Sequence, residues 1–149
     1  MTVEVYNSHC SSLHKDGYIL INHRPCKITD LSNPRGAATI RLVCTDIFTG
    51  QRFEERYPPS QDVVIPNVSR YACRLISIDD GAKLLEIMEE VSMSLERVAI
   101  PGGQLGHKIR TAFEGLEENK AVDISIVAAM GEKAAVDYHV VRDIQDEFF

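Results

Sequence analysis

The sequence predicts an all-β protein of two consecutive small modules, and three observations carry that prediction. Runs rich in Val, Ile, Thr and Tyr are broken by Gly, Pro, Asn and Asp at intervals of roughly ten residues, the pattern of a barrel or sandwich. One stretch alone changes to a helical period. Pro58, Pro59 and the pair Pro66-Asn67 interrupt strand pairing where the charge balance also changes, which divides the chain into residues 1–68 and 69–149.

In the first module, strands are expected at about residues 17–21, 25–30, 38–45, 51–57 and 62–65. In the second they are expected at about 72–78, 82–87, 93–99, 121–129 and 134–141. Between Gly103 and Leu116 the apolar residues Leu105, Ile109, Ala112, Phe113 and Leu116 fall on one helical face. Pro101-Gly102-Gly103 reads as the turn before this helix, because the run lacks the Lys-Ser/Thr ending of a phosphate-binding loop. Five strands with one helix inserted late is the element count of an oligonucleotide/oligosaccharide-binding (OB) barrel.

Composition excludes several classes. At 149 residues, 44% hydrophobic and 26% charged, the chain has enough apolar surface to offset chain entropy, so disorder is not expected. The longest apolar runs, such as Ile124 to Met130, are too short to cross a bilayer, so no membrane insertion is expected. Neither the first residues nor the ending DIQDEFF reads as a targeting signal, so a cytosolic address is the expectation. Seven basic and seven acidic side chains balance in residues 1–68, and the remainder carries the whole formal charge of -6. No lysine or arginine run provides an obvious phosphate-binding cluster.

The four cysteines, Cys10, Cys26, Cys44 and Cys73, form no CxxC pair and read as free thiols, with Cys26 and Cys44 as buried hydrophobes. His9, Cys10 and His14 lack a fourth ligand at a zinc-like spacing, so no metal is expected, and the N-terminal segment reads as frayed or as an added strand. No motif implies a cofactor. The run Glu86, Glu89, Glu90 reads as a solvated face, and His107 and His139 as solvent-facing positions on amphipathic elements. The five tyrosines, Tyr6, Tyr18, Tyr57, Tyr71 and Tyr138, are too dispersed for spacing to define a stacking platform.

Six segments in register resemble the translation factor 5A family: HRPCKITDLS (His23 to Ser32), DIFTG (Asp46 to Gly50), VIPNVSR (Val64 to Arg70), LISIDDG (Leu75 to Gly81), PGGQLGHKI (Pro101 to Ile109) and VDISIVAAMGEKAAV (Val122 to Val136). The resemblance covers roughly residues 13–142 and implies an SH3-like barrel followed by an OB fold. It also implies a loop lysine, converted to hypusine, between the segments matching CKITDLS and TIRLVC. Here that connection is SNPRGAAT (Ser32 to Thr39), shorter than the family's usual loop, with Asn33, Pro34, Arg35 and Gly36 at the equivalent position. All six lysines (Lys15, Lys27, Lys83, Lys108, Lys120 and Lys133) lie elsewhere. Arg35 cannot substitute, because a guanidinium stays protonated and is no amine nucleophile.

A shortened loop without the lysine also resembles the Hex proteins of fungal Woronin bodies, relatives of factor 5A that self-assemble, as do TAFEGLEENKAV (Thr111 to Val122) and AVDYHVV (Ala135 to Val141). The peroxisomal ending of Hex proteins is not matched by Phe148-Phe149, nor is their N-terminal extension. Three functions follow as expectations. The first is a non-hypusinated factor 5A/Hex-like protein whose partner is itself or another protein. The second is a ribosome- or RNA-associated factor working without hypusine, which predicts a basic stripe from Lys15, Arg24, Lys27, Arg35 and Arg41 on one face of the first barrel; if these side chains scatter instead, the idea fails. The third is a repurposed small-molecule enzyme, with His14, Asp16, Arg24 and Asp30 clustered at the barrel mouth and His14 as general base.

Overall fold

The computed structural model describes residues 4–34 and 37–143. The chain divides into two compact units, Met1–Val68 with Ala129–Gly131, and Ser69–Ala128 with Glu132–Phe149. In the first unit, β1 (Val5–His9) leads through a 3-10 turn (Cys10–Ser12) to β2 (Tyr18–Ile21), β3 (Arg24–Ser32), β4 (Ile40–Asp46), β5 (Arg52–Tyr57) and β6 (Asp62–Pro66). Strands β2-β3-β4-β5 form one antiparallel sheet, and β1 pairs with β6. The N-terminal segment is therefore an added strand. Its exposed, polar pattern offers no core face, so its pairing with Asp62–Pro66 is a tertiary outcome.

Alternation in the sheet sorts Ile19, Ile21, Cys26, Ile28, Ile40, Leu42 and Cys44 into the core, where Cys10 and Val63 join them. A bulge between Ile28 and Asp30 shifts the β3 register by one residue, so that Leu31 keeps a core-side partner in Leu42. The expected strand 38–45 begins only at Ile40, and before it Ala37 N–H donates to Pro34 O (2.9 Å).

The second unit contains β7 (Ser69–Asp79), β8 (Leu84–Glu89), β9 (Leu95–Ala99), α1 (Gly103–Glu114), β10 (Lys120–Ala129) and β11 (Glu132–Arg142). Its sheet order is β11-β10-β7-β8-β9, with the helix between the third and fourth strands, as in an OB fold. Ile109 is fully buried against Leu75, Leu85, Ile87, Val122 and Ile124, and Leu105, Ala112, Phe113 and Leu116 pack on the same core. The helix start depends on Gly106: a Cβ there would stand 2.1 Å from Pro101 O, so only glycine admits this close approach.

Two strands start later than expected because side-chain caps extend the turns before them. Asp79 Oδ1 accepts from Ala82 N–H (3.1 Å) before β8. Before β9, Glu89 accepts from the N–H groups of Val91 (3.1 Å) and Ser92 (2.7 Å) and from the Ser92 hydroxyl, and Met93 takes φ +60°. The acidic face is thus open to solvent, most of all at Glu90, while its carboxylates also engage neighbouring groups. Glu86 accepts from Ser77 Oγ (2.8 Å), and Glu90 pairs with Arg74 (3.2 Å).

Candidate nucleic-acid interface

Directly opposed residues in the β2-β3-β4-β5 sheet lie on the same face, so the register defines rows. Tyr18 opposes Lys27, Lys27 opposes Thr45, and Thr45 opposes Arg52. Beyond the bulge, Asp30, Val43 and Glu54 form a second row, and Ser32, Arg41 and Arg56 a third. This face opposes the one that buries Ile28, Leu42 and Cys44. It carries the cations Lys27, Arg41, Arg52 and Arg56 against the carboxylates Asp30 and Glu54, a local positive excess on a chain of net charge -6.

Glu54 sits among the arginines. Arg41 Nε donates to Glu54 Oε1 at 2.7 Å, Arg52 approaches at 4.0 Å, and Arg41 also reaches Asp30 at 3.7 Å. The Arg41 hydrogen bond, and then the fields of Arg41, Arg52 and Arg56, hold the Glu54 carboxyl below its ordinary range. Such exposed pairs are screened by solvent and contribute little to stability, so an incoming anion exchanges them readily. The arrangement can bind a chain of phosphates, with Arg52 and Arg56 four residues apart, roughly 13 Å along β5.

The expected five-residue stripe does not form. Arg24 turns instead to Asp46, whose side chain is 1% exposed: Arg24 Nε donates to Oδ2 at 2.7 Å and Nη2 to Oδ1 at 3.3 Å. Lys15 lies in the turn before β2, and Arg35 and Gly36 lie outside the described residues; of the equivalent loop, Asn33 and Pro34 are exposed. Among the described residues of the expected stripe, Lys27 and Arg41 share the face. Sequence reasoning missed Arg52 and Arg56, although the alternation in RFEERY was signal enough to place Arg52, Glu54 and Arg56 together.

The expected catalytic cluster is also divided. His14 and Asp16 line one groove, of about 430 Å³, with Tyr6, Tyr18, Pro66 and Asn67. Arg24 is held by Asp46, while Asp30 faces Arg41 on the sheet. His14 Nδ1 lies 3.2 Å from Lys15 O, and Asp16 is 4.0 Å from Lys27 Nζ. For the loose metal set, Cys10 is buried and His9 faces Asp62 (3.1 Å); among the described residues no group of three His, Cys, Asp or Glu is placed to hold a metal.

Comparison with known proteins agrees with this architecture. Residues 3–61 match the family model described as "Translation initiation factor 5A-like, N-terminal", and residues 67–139 match "Eukaryotic elongation factor 5A hypusine, DNA-binding OB fold". The chain is 38% identical over 137 residues to eukaryotic translation initiation factor 5A-1 of Saccharomyces cerevisiae, covering 89% of this chain and 84% of that protein. It is 38% identical over 131 residues to factor 5A-2 of Schizosaccharomyces pombe, covering 85% and 75% respectively. A solved structure of a translation initiation factor 5A family protein from Naegleria fowleri superposes with a TM-score of 0.78 at 28% identity, covering 91% of this chain and 99% of that one. Matches in both units and identity across most of its length show that the chain belongs to the translation factor 5A family.

Proposed function

We propose that this family member is a ribosome- or RNA-associated factor that works without a hypusine side chain and docks through the cationic face of its first unit, a set of side chains different from the expected stripe, which fails as a carrier of this reading. The observation that carries the reading is the common face of Lys27, Arg41, Arg52 and Arg56, whose charge complements phosphate. The absence of lysine from Ser32–Thr39, where the resemblance places the modified residue, supports the unmodified mode of action. Co-sedimentation with ribosomes in a salt series tests it. The double variant Arg52→Gln/Arg56→Gln is expected to lose most of the bound fraction and to flatten the salt dependence. Binding unchanged by both substitutions refutes the reading.

A second reading, action through contacts with other proteins or with further copies of the chain, is favoured by the β8–β9 turn. Val91 is 93% exposed and Leu95 73%, with Met93 between them also exposed, on a turn fixed by the Glu89 carboxylate. Light scattering across a concentration series tests it: growth that Val91→Ser/Leu95→Ser abolishes supports assembly, and a constant monomer mass removes self-assembly.

A further inference from the structure

The groove that holds His14 and Asp16 differs in chemistry from two surface grooves of the second unit. One of these is lined by aliphatic, methionine and charged side chains with no ring among them, and the other has a single ring, Tyr71, beside Arg70. The first-unit groove gathers three rings, Tyr6, His14 and Tyr18, with Pro66, and adds hydrogen-bonding groups from Asp16 and Asn67. No lysine or arginine lines it. Flat π faces beside an acceptor and an amide are the equipment for stacking a planar heterocycle and bonding to its edge. About 430 Å³ lies within the usual range for small-ligand sites.

The groove is also preorganised. A Cβ on Gly17 would stand 2.9–3.0 Å from the His14 ring, so the bare glycine lets the imidazole lie against the backbone. Asp16 takes φ +71°, held by its N–H donating to Ile28 O (2.8 Å) and by Gly17 N–H donating to His14 O (3.1 Å). Tyr18 lies both in the groove and at the end of the row Tyr18, Lys27, Thr45, Arg52. Three strand spacings make that row roughly 14 Å long. Aromatic groups at one end and cations beyond it match a nucleic-acid strand, whose bases are flat and whose backbone is anionic.

We propose that this groove takes one unpaired nucleobase of an RNA strand, with the adjoining phosphates along Lys27 and Arg52. The inference rests on the cationic-face reading and adds to it the class of ligand group and the residues that receive it. Its test is fluorescence anisotropy of the full chain with labelled hexaadenylate and with an abasic ribose-phosphate oligomer of the same length, at several salt concentrations. The wild type is expected to bind hexaadenylate roughly tenfold more tightly than the abasic oligomer. Tyr6→Ala removes that preference and Tyr6→Phe, which keeps the ring, retains it; neither changes the salt slope. Arg52→Gln weakens both oligomers alike and lowers the slope by about one.

Equal affinity for the two oligomers, or a preference that survives Tyr6→Ala, overturns the groove assignment, while a response to Arg52→Gln leaves the cationic-face reading standing. Binding of neither oligomer at low salt overturns both. Displacement of hexaadenylate by a decaproline peptide assigns the aromatic groove to an extended peptide and overturns the nucleobase.

Discussion

Replacing Asp46 by Asn tests the electrostatics that anchor the first unit. The Asp46 carboxylate is almost fully buried at the end of β4. Burial pushes its pKa up, but the hydrogen bond from Arg24, the N–H groups of Phe48 (2.8 Å) and Thr49 (3.1 Å) and the Arg24 charge outweigh burial and set it at about 2, against an ordinary 3.8. At 1.36 kcal/mol per pH unit, that difference corresponds to about 2 kcal/mol of folding stability. Because the folded-state value is depressed, the contribution is fully present above about pH 4 and is lost as pH falls through 2.

An asparagine oxygen can still accept from Phe48 and Thr49, so the substitution removes the charge and keeps the turn. Asp46→Asn is therefore expected to cost about 2–3 kcal/mol at pH 7, the upper end including the Arg24 charge left without its partner. The gap from wild type should narrow to a few tenths of a kcal/mol near pH 2. Urea unfolding at pH 7, 4, 3 and 2 measures it, with β4 amide resonances assigning the transition to the first unit. A loss below 0.5 kcal/mol at pH 7 (about a quarter of the value argued), or one that persists undiminished at pH 2, refutes the account.

Gly106→Ala brings a Cβ within 2.1 Å of the Pro101 carbonyl oxygen, which outweighs alanine's better helix propensity; a net loss of about 2 kcal/mol in the second unit is expected in the same urea assay. The thiols supply a structural probe: burial pushes Cys44 up to about 12, and Cys26 and Cys73 to about 11. All four cysteines are free and buried, so a disulfide-exchange reagent at pH 8 is expected to titrate none in the native protein and all four in guanidinium.

What the sequence made legible follows the reach of each signal. The apolar spacing from Leu105 to Leu116 specifies a helix face without outside help, and those residues do pack on the second core. Strands β2, β4 and β10 were readable because Ile, Val and Cys recur with a period that matches a buried pleat. Strand β1 was legible only as one of two alternatives, an added strand or a frayed end, since Val5, Tyr6 and Asn7 gain their order from β6, some sixty residues away. The Arg24–Asp46 pair was hidden for a related reason. Asp46 opens DIFTG, a readable side-chain-capped turn, but its cation is supplied by the register between β3 and β4.

The place of Asp30 on the cationic face was obscured by a parity inversion. Grouping His14, Asp16, Arg24 and Asp30 relies on nearness in sequence, and a regular pleat that buries Cys26 and Ile28 would also turn residue 30 inward. The bulge at Thr29 adds one residue to β3, so beyond it the odd position, Leu31, meets core-side Leu42, while Asp30 and Ser32 turn out beside Val43 and Arg41. The same device in β7, between Leu75 and Ser77, leaves Ile76 exposed and sets Ile78 against Leu85. Bulges of this kind have no sequence signature beyond a locally broken alternation, and Lys27-Ile28-Thr29-Asp30 reads equally well without one. Whether Asp30 joins the cationic surface is therefore decided by a single backbone irregularity, whereas the unbroken register of β4 with β5 by itself opposes Arg41 to Arg56. The bulge adds Ser32 to the row in which β4 and β5 already oppose Arg41 and Arg56, and places Asp30 among the cations rather than beside His14.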